Sequence, residues 1–200
     1  SAAIKTASSP VPPETPNKVT LAKTRLKSVS NTASGIKVTW NKVNRAGGYY
    51  IYRKTGTSKT WTKIATIKKG TTVSYLDKKS LRNGTSYTYM IKAYSGKTTG
   101  TGTTLKTVRI NRPAITSCTS KSGLVNLKWK RNSKATGYEI KCTYSIASKT
   151  LRVKKNATVK STLRNLRKGL TYTFNIRSYK TVGGKTYYSS WSAVKKCTVR

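Results

Sequence analysis

Histidine and glutamine do not occur in this chain of 200 residues, and Asp and Glu together number three. Without imidazole there is no Ser–His or Cys–His couple, no side-chain base poised near neutral pH and no histidine metal ligand. The acids, Glu14, Asp77 and Glu139, are too scattered for a working carboxylate pair or an all-oxygen calcium cage. Without glutamine, a thioester-forming cysteine has no residue to cross-link with. Ser34–Lys37 and Ser192–Lys195 match S-x-x-K, but that spacing aligns a pair along a helix, and both lie in or beside predicted strands. No glycine-rich phosphate loop of P-loop form occurs. These residues are expected to supply no catalysis and to hold no metal or cofactor. Cysteine is sparse as well, with Cys118, Cys142 and Cys197 too few for a disulfide framework. They fall at inward positions of strand-like runs and read as small buried hydrophobes, with one disulfide and a free thiol as the alternative. No apolar run approaches the ~18–20 residues that span a bilayer.

What the chain has in excess is positive charge. Forty-two Lys and Arg give a formal net charge of +39, with 21 cations in residues 1–111 and 21 in residues 112–200. The charge therefore covers the chain evenly and is no basic tail. Alternation in strands sends lysine to the solvent side, which accounts for position but not for sign, since mixed charge would serve solubility as well. A field of one sign attracts polyanions at the cost of self-repulsion. Lys outnumbers Arg 30 to 12, which favours diffuse attraction over forked phosphate recognition.

The chain also repeats itself. Residues 81–94, LRNGTSYTYMIKAY, and 166–179, LRKGLTYTFNIRSY, are identical at seven of fourteen positions, 85 residues apart. IKVTW places Ile36, Val38 and Trp40 on one face, and VNLKW does the same with Val125, Leu127 and Trp129. GYYIYRK and GYEIKCT match Tyr49 with Tyr138 and Ile51 with Ile140, at the same offset of 89 as the tryptophans. Gly and Asn-Gly punctuation separates runs of strand length, and no apolar repeat of 3.6 residues persists over ten positions. The fold expected is all-β. Residues 1–16 hold four of the five prolines and read as an extended linker, with modules over 17–111 and 112–200 joined end to end at Asn111-Arg112-Pro113. Sequons at Asn83 and Asn156 are what chance yields in a chain so rich in Ser and Thr.

In each half the order is a strand-B Trp, a G-Y-x-I strand and an L-x-x-G-x-x-Y turn like the tyrosine corner of β-sandwiches. Together these resemble a fibronectin type III domain, over roughly residues 17–200. Segments such as IATIKKGTTVSYLDKKSLRNGTSYTY are similar to the lysine-rich repeats of that family in secreted or cell-wall-attached bacterial proteins. The resemblance implies two tandem fibronectin type III (immunoglobulin-like) β-sandwiches, at the cell surface or secreted, within a longer parent chain. It implies no activity, since such modules serve as spacers, adhesins and appendages of enzymes. The second copy departs locally: Thr162 aligns with Asp77, and nothing matches Trp61.

Parity in the second module gives a candidate site. With Tyr138, Ile140, Cys142, Leu151, Val153, Phe174, Ile176 and Cys197 inward, Lys141, Arg152, Lys154, Arg177 and Lys196 share the outer face of one sheet. Neighbouring charges ~5–7 Å apart would repel by roughly 0.6–0.8 kcal/mol per pair in water, which a bound polyanion would relieve. Partners of the right sign are anionic polysaccharide, cell-wall polymer and acidic protein surfaces. Nucleic acid fits by charge alone, without a recognition helix or RNP-type motif. An accessory role in a secreted hydrolase requires a catalytic domain elsewhere. Trp61, Tyr187, Tyr188 and Trp191 are candidate aromatic contacts for sugars or bases, set against edge packing. Ser189-Ser190-Trp191-Ser192 is similar to part of the WSxWS signature of cytokine receptors but lacks its first Trp.

Overall fold

The computed structural model describes residues 20–200, and the expected linker at 1–16 lies outside them. All regular elements among the described residues are strands. In the first half they are β1 (Leu26–Asn31), β2 (Ile36–Trp40), β3 (Gly48–Thr55), β4 (Thr62–Ile67), β5 (Ser74–Asp77), β6 (Ser86–Ser95), β7 (Thr98–Thr99) and β8 (Thr104–Val108). Sheet order is β1-β2-β5 against β4-β3-β6, with β7 and β8 both pairing with β6. The second half repeats this with β9 (Ile115–Lys121), β10 (Leu124–Trp129), β11 (Gly137–Tyr144), β12 (Ala147–Val153), β13 (Lys160–Leu163), β14 (Thr171–Val182), β15 (Lys185–Tyr188) and β16 (Lys195–Thr198). Its sheets are β13-β10-β9 and β12-β11-β14, with β15 and β16 both on β14. Every strand pairing in both halves is antiparallel. Two apolar clusters result, one per sandwich, and they share no residue.

The recurring motifs do equivalent work. Trp40 meets Tyr49 edge-on at 5.2 Å, and Trp129 meets Tyr138 at 5.5 Å, all four rings buried. Such pairs add about 0.5–1.5 kcal/mol to what area burial contributes. The Tyr49 hydroxyl accepts from the Val43 amide and donates to the Gly70 carbonyl, and Tyr138 does the same with Asn132 and Asn156. At the L-x-x-G-x-x-Y turns the amides of Arg82 and Arg167 donate to the hydroxyls of Tyr87 and Tyr172. These are the tyrosine corners. Gly48 and Gly137 open β3 and β11 because nothing larger fits: a Cβ there would lie 2.1 Å from the carbonyl oxygens of Ile67 and Val153 respectively.

Two inward assignments and one alignment need correction. Leu151 was expected to be buried but is 40% exposed, because the two sheets of the second sandwich stand apart along its edge. Leu163, not Thr162, occupies the place of Asp77: β5 sets Asp77 opposite Ile36, and β13 sets Leu163 opposite the matching Val125. One residue fewer between β13 and the corner shifts the alignment. The three cysteines are unpaired and half-buried at the margin of the core, where full burial was expected. Burial, and then a hydrogen bond with the Cys197 thiol, pushes the Cys118 thiol up to about 12, while burial raises Cys142. Both are therefore protonated at pH 8. Iodoacetamide should alkylate them several-fold more slowly than cysteines of the urea-unfolded chain, as read by peptide mass spectrometry. Equal rates would mean that these thiols are not enclosed.

The halves meet through asparagine. The Asn83 side-chain amide donates to the Asn132 side-chain oxygen at 2.8 Å, and the Asn132 amide donates to the Asn111 carbonyl at 2.8 Å. The Asn111 backbone amide returns to the Asn83 side-chain oxygen at 3.0 Å. Asn31 adds a second strap, donating to the carbonyls of Val108 and Tyr188. These links use neutral groups, so they form despite the positive charge on both sides.

Candidate polyanion-binding face

The outer face of β12-β11-β14 in the second sandwich is built around its one acid. Register places Glu139 on β11 directly between Arg152 on β12 and Arg177 on β14. Nε and Nη2 of Arg177 donate to Glu139 Oε2 at 2.9 and 2.7 Å, and Nη1 of Arg152 lies 3.7 Å from Oε1. Glu139 is 7% exposed, enclosed by its two partners. The Arg177 guanidinium also lies 3.9 Å from the ring centre of Tyr188 and 4.4 Å from that of Trp191. Arg152 lies 4.1 Å from the ring centre of Tyr179. Contacts of this kind contribute about 0.5–2 kcal/mol each.

The chain between β15 and β16 holds the two aromatics in place. The Ser178 and Ile176 amides of β14 donate to the hydroxyls of Ser189 and Ser192, both at 3.0 Å. The amides of Ser189 and Ser192 donate back to the carbonyls of Ser178 and Ile176. Serine hydroxyls thus continue the ladder where backbone pairing lapses, and Tyr188 and Trp191 come to lie on Arg177. Tyr188 stands where the first Trp of WSxWS would be, so an aromatic is present there although Trp is not.

Register sets Lys141, Arg152, Arg177 and Lys196 on this face, and Lys154 follows directly after the end of β12. Arg152 and Arg177 are engaged with Glu139 and with rings, so the repulsion expected between them is relieved from within. Lys154 and Lys196 are exposed and Lys141 is half-buried, and among the described residues none of the three has an acidic partner within 4.0 Å. Lys141 and Lys196 lie on strands either side of β14, paired with Asn175 and Thr173, roughly 12 Å apart across two strand spacings and two residues along the strand. On the opposite sheet Lys128 and Lys160 sit directly across from each other, both exposed. Of the aromatic candidates, Trp61 is half-buried with the Lys54 ammonium 4.6 Å from its ring centre. Tyr187 lies beside Val29 and Leu105, where the β14–β15 hairpin reaches the first sandwich.

The first sandwich has a matching face that the motif reading passed over. Tyr50 stands where Glu139 stands in the second, and Lys92 where Arg177 does. Tyr50 stacks on Tyr94 with ring centres 4.5 Å apart. Lys63 lies over Tyr50 at 4.8 Å and Lys92 over Tyr52 at 5.6 Å. Among the described residues no acid enters this face. The alternation in GYYIYRK carried the signal, since inward Tyr49 and Ile51 leave Tyr50 and Tyr52 outside.

The first sandwich's acid is interior. Asp77 is fully buried, accepting from Arg53 Nη1 at 2.7 Å, from the Tyr89 hydroxyl at 2.7 Å and from the Lys79 amide at 2.9 Å. Both acids among the described residues are thus buried and paired with arginine. Among those residues, every ionised side chain facing solvent is positive. No group of three or more metal-ligating side chains occurs among them, and no helix is long and apolar enough to cross a membrane.

Residues 107–195 match the sequence model of the fibronectin type III domain. No curated protein matches the chain. Among solved structures, the FN1–FN3 domains of chicken CNTN1 are similar at 18% identity and a TM-score of 0.42, the match covering 90% of this chain and 65% of that one. The two-domain fibronectin type III segment of chicken tenascin is similar at 17% identity and a TM-score of 0.44, covering 87% of this chain and 99% of that one. Domains of this family are commonly non-catalytic modules of extracellular proteins. The fold is two tandem all-β sandwiches, the first repeating the strand order and the motifs of the second, and the second holds the fibronectin type III domain matched over residues 107–195.

Proposed function

We propose that the chain is a non-catalytic spacer and adhesion module of a secreted or surface-attached bacterial protein, held against anionic polymer by diffuse positive charge. The observation that carries this reading is the uniform sign of the exterior among the described residues, with Asp77 buried in the interior and Glu139 covered on the outer face by Arg152 and Arg177. Sulfated glycan and teichoic acid suit it best. Their spaced anions meet separated lysines without needing a forked contact, and the Tyr50-Tyr52-Tyr94 face offers rings beside Lys63 and Lys92 for sugars to stack on. In the second sandwich Lys141, Lys154 and Lys196 are the free contributors.

The test is binding to immobilised heparin and to teichoic acid between 50 and 200 mM salt. Affinity should fall about a hundredfold over that range if some four counterions are released. Reversing Lys63 and Lys92 to Glu should weaken binding about tenfold, and reversing Lys141 and Lys196 about as much. Binding that ignores salt, or survives both reversals, would overturn the proposal. Tighter binding to duplex DNA than to either polymer would replace it with a nucleic-acid role.

A further inference from the structure

The two sandwiches differ along one edge, where the outer strand of the larger sheet faces the outer strand of the smaller. In the first sandwich that edge is closed. A β-bulge in β4 between the partners of Ile51 and Tyr52 turns Ile64 inward, and it is buried. The Lys79 ammonium donates to the Ile64 carbonyl at 2.8 Å, tying the end of β5 to β4. Behind this closure lies the Arg53-Asp77-Tyr89 group.

In the second sandwich each part of that closure is gone. The pairing of β11 with β12 is regular, with no bulge and no counterpart of Ile64. Cys142, Leu163 and Phe174 stand for Arg53, Asp77 and Tyr89. The result is a cleft of about 550 Å³ between the sheets, walled by Ile140, Cys142, Leu151, Leu163, Leu166 and Tyr172. That volume falls in the ~300–1,000 Å³ range of small-molecule sites. Among the described residues no acid lines the cleft, and two cations do: Arg164, and Lys149, which register sets opposite Cys142 on the inward face of β12. The Lys149 charge reaches the Cys142 thiol, opposing the upward push of burial. Tyr144, 40% exposed, continues the apolar wall toward the hairpin tip.

We propose that this cleft binds a single-chain anionic amphiphile, a medium-chain carboxylate, with its alkyl tail between the sheets and its head on Lys149 and Arg164. Apolar walls take the tail, and the cations at the rim select the sign of the head. The site is independent of the polyanion face, on which it makes no demand.

The experiment is a titration of the whole chain with sodium decanoate, followed by amide chemical shifts. Decyltrimethylammonium and decanol serve as ligands with the same tail and a different head. Expected is saturable one-to-one binding with shifts confined to residues around Leu151, Leu163 and Tyr172. Decanoate should bind about tenfold more tightly than the cationic analogue. Bound decanoate should protect Cys142, but not Cys118, from N-ethylmaleimide. K149E with R164E changes only exposed side chains, so the fold is kept, and it should reverse the head-group preference. Equal affinity for the three ligands, shifts scattered over both sandwiches, or a double reversal without effect would each overturn the assignment.

Discussion

Arg53→Leu is expected to unfold the first sandwich under conditions that leave the second folded. The substitution keeps most of the aliphatic stem but strands the Asp77 carboxylate, whose side chain has no exposure to water. Tyr89 and the Lys79 amide still donate to it, yet neither carries a charge to offset. Breaking a buried pair in this way costs about 3–5 kcal/mol. That is a large share of the ~5–15 kcal/mol by which a domain is stable. Urea unfolding followed by tryptophan fluorescence should then show two transitions, the earlier one carrying the Trp40 signal. The second sandwich supplies the rescue, for it fills the same three positions with Cys142, Phe174 and Leu163. The triple variant R53C, Y89F, D77L should regain most of the lost stability, because a buried pair exchanged for apolar groups is often neutral. A single unshifted transition for R53L would mean that Asp77 is not enclosed as described.

Gly137→Ala should do comparable damage to the other half. The added methyl would lie 2.1 Å from the Val153 carbonyl oxygen and 2.7 Å from the Tyr179 hydroxyl. Backbone cannot swing aside as a side-chain tip can, so β11 and β12 must part at their first pair, Tyr138 with Val153. A loss of about 3 kcal/mol is expected, at the upper end for overpacking. Displacing Tyr179 also removes the ring on which Arg152 rests. Gly183→Ala is the control: its methyl would meet nothing within 4 Å, and only its φ of +55° is unfavourable. That variant should lose about 1 kcal/mol. Thermal unfolding of the three proteins decides the matter, and equal midpoints for the two alanine variants would contradict the geometry.

Much of this architecture is legible in the residues alone. Trp40 and Trp129, the G-Y-x-I strands and the paired tyrosine corners are motifs whose spacing reports a backbone requirement. Parity then assigns a face to each side chain. Parity does not say what stands beside a residue on the next strand. That Glu139 lies between Arg152 and Arg177 depends on register across three strands, and register depends on loop lengths. The Asp77 counterpart shows the same limit, since one missing residue before the corner moved it from Thr162 to Leu163. Exposure at Leu151 had a different cause: whether two sheets close over an edge depends on what fills the gap, and Ile64 has no equivalent to be missed until the bulge is seen. Tyr188 is legible as a candidate aromatic contact, but its place on Arg177 depends on the serine-mediated pairing of its segment to β14.

The joint between the sandwiches bears on how the protein ages. Asn-Gly pairs lose ammonia when the glycine nitrogen attacks the asparagine side-chain carbonyl, and Asn83-Gly84 is such a pair. Here the Gly84 amide is committed to the Arg109 carbonyl at 2.7 Å, and the Asn83 side chain is held by Asn132 and Asn111. The folded joint therefore restrains the nucleophile and its target together. A chain that dwells unfolded enjoys no such shelter, and the cyclic imide so formed takes up water to leave isoaspartate or aspartate at position 83. On refolding, that carboxylate would confront the Asn132 oxygen, acceptor against acceptor, where a donor had been. The contact between the halves thus keeps a chemical memory of time spent unfolded, readable as a one-dalton gain in mass.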